Sequence, residues 1–561
     1  MLTHICLENF KTYKQRIELQ LAPITLLYGP NSSGKSSILQ AMLYAYEVIS
    51  HDWLDVDHCS LSPIDLGGFS NVLNHSAERE EITIGLGYTL QGNLAASKAQ
   101  TEFGKLSIEA LESYEYHPDC SVSSPNGEGG PNWGYVEFTV AWNSRLKHPY
   151  ISRLSIYLQS GSFPHYGLLA SPIEKQHHVL DVISSPSRQQ VYISNINFEH
   201  DLFLFSSDEH EQCPLIDLLS GMGAAHDTDS LRIHLNNMKN NAKPVLGKAL
   251  ELELMSDRLE ELDNKLINFD LSSNISAEET KLLEQERRQV VDNINFLTEL
   301  FSQLIITPLH HLSLTLEHMA HIGPWRDIPE RNFSPSRSSD SRRWHKGIAA
   351  WDEVYQCDQR QFDTISKWMQ WLKTGYAIER EEINKRSAIS KSVVLKDSSG
   401  HAMQPADVGV GISQLFPIVV AACSQRVGVV AVEQPELHIH PALQVELGDL
   451  FCAMASLSLG LDDWLSYEEY ITGAMGPAGN KFLVETHSEH MLLRLLRRIR
   501  DTDQDNMDGS PYRLHPHEVS VLYIDVVDGV TIAKRLHIDD EGEFIDKWPK
   551  GFFAERAEEL F

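Results

Sequence analysis

Two glycines, a lysine and a serine stand at phosphate-binding spacing in Gly29-Pro30-Asn31-Ser32-Ser33-Gly34-Lys35-Ser36. The glycines let the backbone turn tightly, so that its N–H groups face phosphate oxygens. The helix that follows adds the positive end of its dipole. Lys35 is expected to reach the β- and γ-phosphates and Ser36 to hold Mg²⁺, with Ser37 completing the cradle.

Three further stretches carry chemistry. Glu433 closes an apolar run, Val427 to Val432, and is followed by Gln434-Pro435-Glu436-Leu437-His438-Ile439-His440-Pro441. An acidic residue at the end of a buried strand, opposite a phosphate loop, is where a second Mg²⁺ contact belongs. Phe482-Leu483-Val484-Glu485 leads into Thr486-His487-Ser488. A histidine there can hydrogen-bond a γ-phosphate or the attacking water. Asp407-Val408-Gly409-Val410-Gly411-Ile412-Ser413-Gln414-Leu415 precedes an apolar helix. Glycine-rich loops before helices bind anions. The first loop already serves the chain's own nucleotide, so this one is expected to reach across a dimer to the other copy's γ-phosphate.

These residues need elements to hold them. The apolar run Ile24 to Tyr28 before the loop and Ser37 to Leu43 after it predict strand, loop and helix, the helix running to about Ile49. His4 to Leu7 and Ile17 to Leu21 predict a hairpin around Phe10 and Tyr13, which stack on adenine or pack the hairpin. Between about 80 and 200, period-two runs such as Glu81 to Leu86, Tyr135 to Val140 and Leu154 to Leu158 predict an antiparallel β lobe, interrupted by a Ser/Gly/Pro-rich loop, Pro118 to Pro131. The stretch Leu66 to Asn71 falls where a γ-phosphate-sensing loop would sit but lacks a glutamine. Leu252, Met255, Leu259, Leu262 and Leu266 form one heptad seam; Val290, Ile294, Leu297, Phe301 and Leu304 form another. Ser272-Ser273-Asn274 separates them, and Ser276 with Glu279 makes a capping box. An antiparallel helical hairpin of roughly 30–40 Å follows, with two ordinary core helices as the plainer reading. Arg326 and Arg331 face a phosphate or brace the sheet. The Ser/Arg-rich stretch Ser334 to Arg343 reads as a surface loop.

Composition sets limits. At 561 residues with a net charge of −31 and a pI near 5.2, the chain exceeds one compact core and opposes loose DNA binding. Seven cysteines without a C-x-x-C pair argue against a zinc ribbon or disulfide framework and for a reducing, cytoplasmic setting. No signal peptide or bilayer-length apolar run is present in the sequence.

The order of phosphate loop, helical hairpin, glycine–serine stretch, acidic strand end, Leu437 to Pro441 and His487 resembles the ABC-type ATPases, and within them the RecF, SMC and overcoming-lysogenization-defect group. It is similar to the small ATPases of phage-defence operons, in particular the PtuA-type ATPases of Septu systems, some attached to retrons; the tail Glu541 to Phe553 belongs to the same resemblance. This implies an α/β P-loop ATPase head, a mixed sheet plus the antiparallel β lobe, with the hairpin inserted. Its parts are 1–244 (N-terminal half with the lobe), 245–305 (hairpin) and 306–561 (C-terminal half). It implies ATP and Mg²⁺ as cofactors, a homodimer or higher oligomer closed on ATP, a separate nuclease subunit of His-Asn-His type, and in some systems a reverse transcriptase with its msDNA. By position Gly409 and Gly411 stand in the Leu-Ser-Gly-Gly-Gln signature. Gly409 replaces the serine, so a hydroxyl contact is lost or comes from Ser413. The usual Asp-Glu is Glu433-Gln434. Gln434 cannot accept a proton as a carboxylate does, which predicts slow hydrolysis, with Glu436 as a substitute base beside Lys35 and His487.

Three function classes follow: the ATP-binding sensor and scaffold of a defence complex, a RecF-like DNA-repair clamp, and a transporter ATPase. The hairpin and lobe disfavour the third. The second needs a basic groove, for which Arg494, Arg497, Arg498 and Arg500 are the candidates, or else an exposed helix face or docking surface. About 70 residues follow His487, too few for a Toprim nuclease domain, and His515-Pro516-His517 lacks the companions of a His-Asn-His site. Any cleavage is therefore assigned to another subunit.

Overall fold

The computed structural model describes residues 2–50, 64–89, 133–143, 148–159, 177–183, 258, 261–266, 279–288, 290, 307–330, 333, 335–336, 341–382, 391–424, 426–455, 480–504 and 513–549. Within these, the central sheet has the order β15-β14-β3-β13-β12-β8. Its strands are β3 (Ile24–Tyr28), β8 (Met319–Ile322), β12 (Val429–Glu433), β13 (Lys481–Glu485), β14 (Val519–Val527) and β15 (Val530–Leu536). Five run parallel and β15 is antiparallel, so the sheet is mixed. β3 and β13 are buried at every position. That is expected of parallel strands covered on both faces, and it is why they read as unbroken apolar runs.

The helix α1 (Lys35–Ser50) leaves β3 through the phosphate loop. A second, antiparallel sheet has the order β2-β1-β4-β5-β6-β7. It comprises β1 (Leu2–Glu8), β2 (Ile17–Gln20), β4 (Glu81–Thr89), β5 (Trp133–Asn143), β6 (His148–Gln159) and β7 (His177–Ile183). The expected hairpin and lobe are thus one sheet, because β1 pairs with both β2 and β4. Gly134, on β5, packs under the Tyr88 ring; a Cβ there would stand 2.4 Å from it.

The C-terminal half adds α3 (Thr307–Glu317), α4 (Ile348–Gln356), α5 (Gln359–Trp371), a small sheet of β9 (Tyr376–Glu382), β10 (Lys391–Asp397) and β11 (Ala402–Met403), then α6 (Val410–Cys423), α7 (Pro441–Ala455) and α8 (Glu489–Asp503), with α2 (Phe69–Val72) in the N-terminal half. α6 is buried from Ile412 to Cys423, and Trp351 of α4 stacks on its Phe416 at 4.1 Å. α8 is capped by Ser488, whose hydroxyl accepts the Met491 N–H.

Of the two heptad seams, helical residues 261–266 and 279–288 are described. Arg258 pairs with Glu286 and Arg287 with Asp263, joining the two stretches, and Leu262 is fully buried. Leu252, Met255, Leu259, Ile294, Leu297, Phe301, Leu304, Ser272 to Ser276, the Pro118 to Pro131 loop, Arg331 and Lys550 to Phe553 lie outside the described residues. No helix among those described is long and apolar enough to cross a membrane.

Candidate functional site

The phosphate loop is built by backbone constraint. Gly29 has φ +143°, and a Cβ there would lie 2.0 Å from the Ile524 carbonyl oxygen of β14. Gly34 has φ +107°, and its Cβ would meet the Thr12 hydroxyl at 2.3 Å. Ser32, at φ +64°, completes the turn. Lys35 curls back on the loop: its Nζ donates to the carbonyls of Gly29 (3.0 Å) and Pro30 (2.8 Å). Burial lowers its pKa, opposed by the nearby Glu485 and Glu436 carboxylates. Among the described residues, the buried Ser33 hydroxyl has no hydrogen-bond partner. A loop with a buried orphan hydroxyl and a lysine bonded to its own carbonyls fits a phosphate, which would take over these groups.

The carboxylate beside the loop belongs to Glu485. Ser36 Oγ donates to its Oε2 at 2.6 Å, and Lys35 Nζ lies 3.8 Å from its Oε1. The cause is strand order. β13 lies between β3 and β12, with Glu485 level with Leu27 on one side and Glu433 on the other. Glu433 is one strand further out and turns to His321, whose Nε2 is 2.8 Å from its Oε1. Burial, assisted by Glu433, pushes the Glu485 pKa up against the Ser36 hydrogen bond and Lys35. Sequence reasoning singled out Glu433 and passed over Glu485. The available signal was the same in both: an acidic residue ending a buried apolar strand. The donors gathered here are hard oxygens, a serine hydroxyl and carboxylates, and they suit Mg²⁺.

Glu436 holds the segment that carries His487. Its Oε2 accepts the Thr486 hydroxyl at 2.7 Å and its Oε1 the His487 backbone N–H at 2.7 Å. Both oxygens of the expected substitute base therefore brace the histidine turn, and Glu436 reads as a positioning residue. Burial, and secondly Lys35, hold the His487 pKa below its ordinary value, which leaves the ring neutral at pH 7. Gln434 sits at φ +45° and donates its N–H to the Glu485 carbonyl at 2.8 Å. Arg326 braces rather than faces a phosphate. It is 3% exposed and donates to the carbonyls of Gln414 (3.2 Å), Glu433 (2.9 Å) and Gln434 (3.4 Å). The Gln414 amide returns a hydrogen bond to the Arg326 carbonyl at 2.7 Å. One buried guanidinium thus ties the start of α6 to the end of β12.

At the glycine-rich loop, Gly409 opens α6 without a side-chain cap, and Val410 is exposed. A Cβ on Gly411 would come within 2.7 Å of the His438 carbonyl oxygen. Ser413 is 1% exposed. Its hydroxyl points into the body of the molecule and is not brought to the surface that Gly409 and Val410 present. Phe10 and Tyr13 are also fully buried. Tyr13 donates its hydroxyl to the Gly34 carbonyl at 3.0 Å, so these rings pack the hairpin and buttress the loop rather than stack on adenine. The arginines of α8 are neutralised within the chain. Arg494 and Arg498 pair with Asp449, Arg497 with Asp501, and Arg500 with Glu543. They make a structural network, not a basic groove.

The family described as the AAA ATPase domain matches residues 1–492. The chain belongs to that family. As a member it carries an AAA ATPase domain, and the family implies ATP binding, usually with Mg²⁺. The DNA replication and repair protein RecF of Roseiflexus castenholzii is 46% identical over 43 residues, which are 8% of this chain and 11% of that protein. Among solved structures, the chain is similar to the Pyrococcus furiosus Smc head domain with an extended coiled coil, bound to the C-terminal domain of ScpA. That likeness has 11% identity, covers 100% of this chain and 98% of that one, and has a TM-score of 0.35. The SMC head domain of Thermotoga maritima gives 8% identity, 96% and 99% coverage, and a TM-score of 0.33.

Proposed function

We propose that this AAA ATPase works as an ATP-dependent clamp of two copies that hydrolyses slowly, and that it serves as the sensor and scaffold subunit of a prokaryotic anti-phage complex, holding a separate nuclease in check. The observation that carries the dimer is one exposed face. Trp325, 69% exposed, and Val410, 49% exposed, flank the glycine loop, and the Trp325 ring lies 5.7 Å from that of His438. An exposed tryptophan beside a loop of anion-binding type supports closure on a second copy's nucleotide. Slow turnover is supported by Gln434 at the base position and by the engagement of both Glu436 oxygens. In the closed dimer, Lys35 and the loop N–H groups hold phosphates, Ser36 with Glu485 or Glu433 holds Mg²⁺, and His487 supplies a neutral imidazole toward the γ-phosphate.

The defence assignment rests on the resemblance of motif order. The pairing of every α8 arginine counts against the DNA-clamp alternative that the short RecF match suggests. Native mass with and without Mg·ATP tests the core of the proposal. Doubling with ATP in the wild type, lost in Trp325→Ala and in Val410→Glu, is the expected result. A monomer at saturating ATP overturns it. A second subunit co-purifying from the native host, carrying nuclease motifs, supports the scaffold role. DNA binding by the ATP dimer alone, with no such subunit, favours the clamp.

A further inference from the structure

Outside the phosphate loop, a second cluster of ligating side chains shares only Glu433 with the proposed nucleotide site. His321 lies on β8, level with Ala431 of β12, so its ring stands beside the end of that strand. His345 follows a 3₁₀ turn, Ser341–Trp344. Its carbonyl accepts the Gly323 N–H at 2.9 Å, and its ring fills the space a Cβ on Gly323 would need, 2.4 Å from Cε1. Glu433 ends β12. The two imidazole rings are 5.0 Å apart, and one ligand atom from each of His321, His345 and Glu433 lies within 4.8 Å of the others. His321 is 3% exposed. Among the described residues, the buried Nδ1 atoms of both histidines have no hydrogen-bond partner. Among the described residues, no lysine or arginine pairs with the Glu433 carboxylate.

We propose that His321, His345 and Glu433 form a binding site for a borderline divalent transition ion of the Zn²⁺ class, whose occupancy withholds Glu433 from the nucleotide's Mg²⁺. Two imidazoles and one carboxylate are the donor set of three-ligand zinc sites, which leave a fourth position open. Mg²⁺, which takes oxygen ligands, is disfavoured there. Metal–ligand bonds of about 2.0–2.1 Å require the three donors to draw in by rotation of the half-buried His345, while His321 is already placed by β8. Gly323 gives the His345 ring its room, and Arg326 fixes the backbone at Glu433. Glu433 is thus shared between two ions of different chemistry. The withholding step rests on the reading of Glu433 as a Mg²⁺ ligand; the binding step does not.

The test uses the full chain, stripped by a chelator and dialysed, with Co²⁺ as the optical probe and Zn²⁺ as its competitor. The expected result is a visible ligand-field band that saturates at one ion per chain, is displaced by Zn²⁺, and is lost in both His345→Ala and His345→Gln. Both variants keep the backbone bond to Gly323, and native mass and melting temperature report that they fold. No band in the wild type, or a band that survives in both folded variants, overturns the site. ATP turnover in Mg²⁺ is then measured with added Zn²⁺. A fall of tenfold or more in the wild type, absent in the His345 variants, is expected. Equal inhibition of wild type and variants overturns the withholding step alone. Co²⁺ binding in a chain that binds no ATP leaves the metal site standing and removes the ATPase reading.

Discussion

The Ser36 hydroxyl donates to Glu485 at 2.6 Å, so the phosphate loop and the strand that leads into the His487 turn are linked directly at the point where Mg²⁺ is expected. Glu485 sits on β13, next to β3, and its carboxylate faces the loop with no strand between.

Replacing Glu485 by Gln keeps the shape but removes the charge. The concentration of Mg²⁺ needed for half-maximal ATP binding is expected to rise about tenfold, equivalent to roughly 1.4 kcal/mol. ATP binding without Mg²⁺ is expected to change little. Calorimetric titration across a Mg²⁺ series separates the two effects. An unchanged Mg²⁺ requirement would reduce Ser36–Glu485 to a structural contact without a role in metal binding.

Local pattern carried much of this architecture. Gly29 to Ser36 predicted strand, loop and helix because each part has its own short-range signal, and α1 ends within a residue of the expected Ile49. Period-two runs found β4, β5 and β6 for the same reason. Strand order is a different matter: nothing in Phe482 to Glu485 says that this strand, and not the one ending in Glu433, lies beside the loop. Burial was equally opaque. With Gly409 in the serine position, a hydroxyl contact was left to be lost or to come from Ser413, yet helix phase turns Ser413 inward, where it is 1% exposed. The arginines of α8 read as a patch because Asp449 and Glu543, their partners, are about 40 or more residues away in sequence. The pairing of His321 with Glu433 spans an even longer separation.

Gln434→Glu restores a carboxylate at the base position. Steady-state ATP hydrolysis is expected to rise by about two orders of magnitude, the lower end of what a positioned general base contributes. Glu436→Gln acts in the opposite direction, because its amide cannot accept from both Thr486 and the His487 N–H. Turnover is expected to fall tenfold or more, with ATP binding retained. Phosphate-release assays on both variants read this. Robust turnover in Glu436→Gln would remove Glu436 from both roles, as base and as brace.

Arg326→Met tests the tie between α6 and β12. The substitution leaves three carbonyls, of Gln414, Glu433 and Gln434, short of a buried donor. Each such loss costs about 1–3 kcal/mol, so a destabilisation on the order of 3 kcal/mol is expected. Burial already holds the guanidinium pKa down to about 10, still protonated at pH 7. Arg326→Lys keeps a charge but cannot span the same carbonyls, and is expected to lose an intermediate amount. Thermal melts give the order: wild type, then Lys, then Met. Equal melting temperatures would mean that water satisfies the carbonyls.

Lys481 begins β13 in a fully buried position, where desolvation pulls its pKa down to about 7. Its unfolded value lies near 10.4. Below pH 7 both states are protonated and the folded state carries the whole cost of a buried ammonium. Between pH 7 and about 10.4 the unfolded chain binds more protons than the native one, so stability rises with pH across that window. Lys481→Met removes the charge and keeps an apolar side chain of similar length. The variant is expected to melt several degrees above the wild type at pH 7, with roughly half of that advantage gone by pH 9, as the wild-type lysine loses its proton in the folded state. Paired thermal melts at the two pH values measure the difference directly. A pH-independent advantage would locate the gain in packing, and a destabilised variant would show that the contacts of the ammonium outweigh its desolvation.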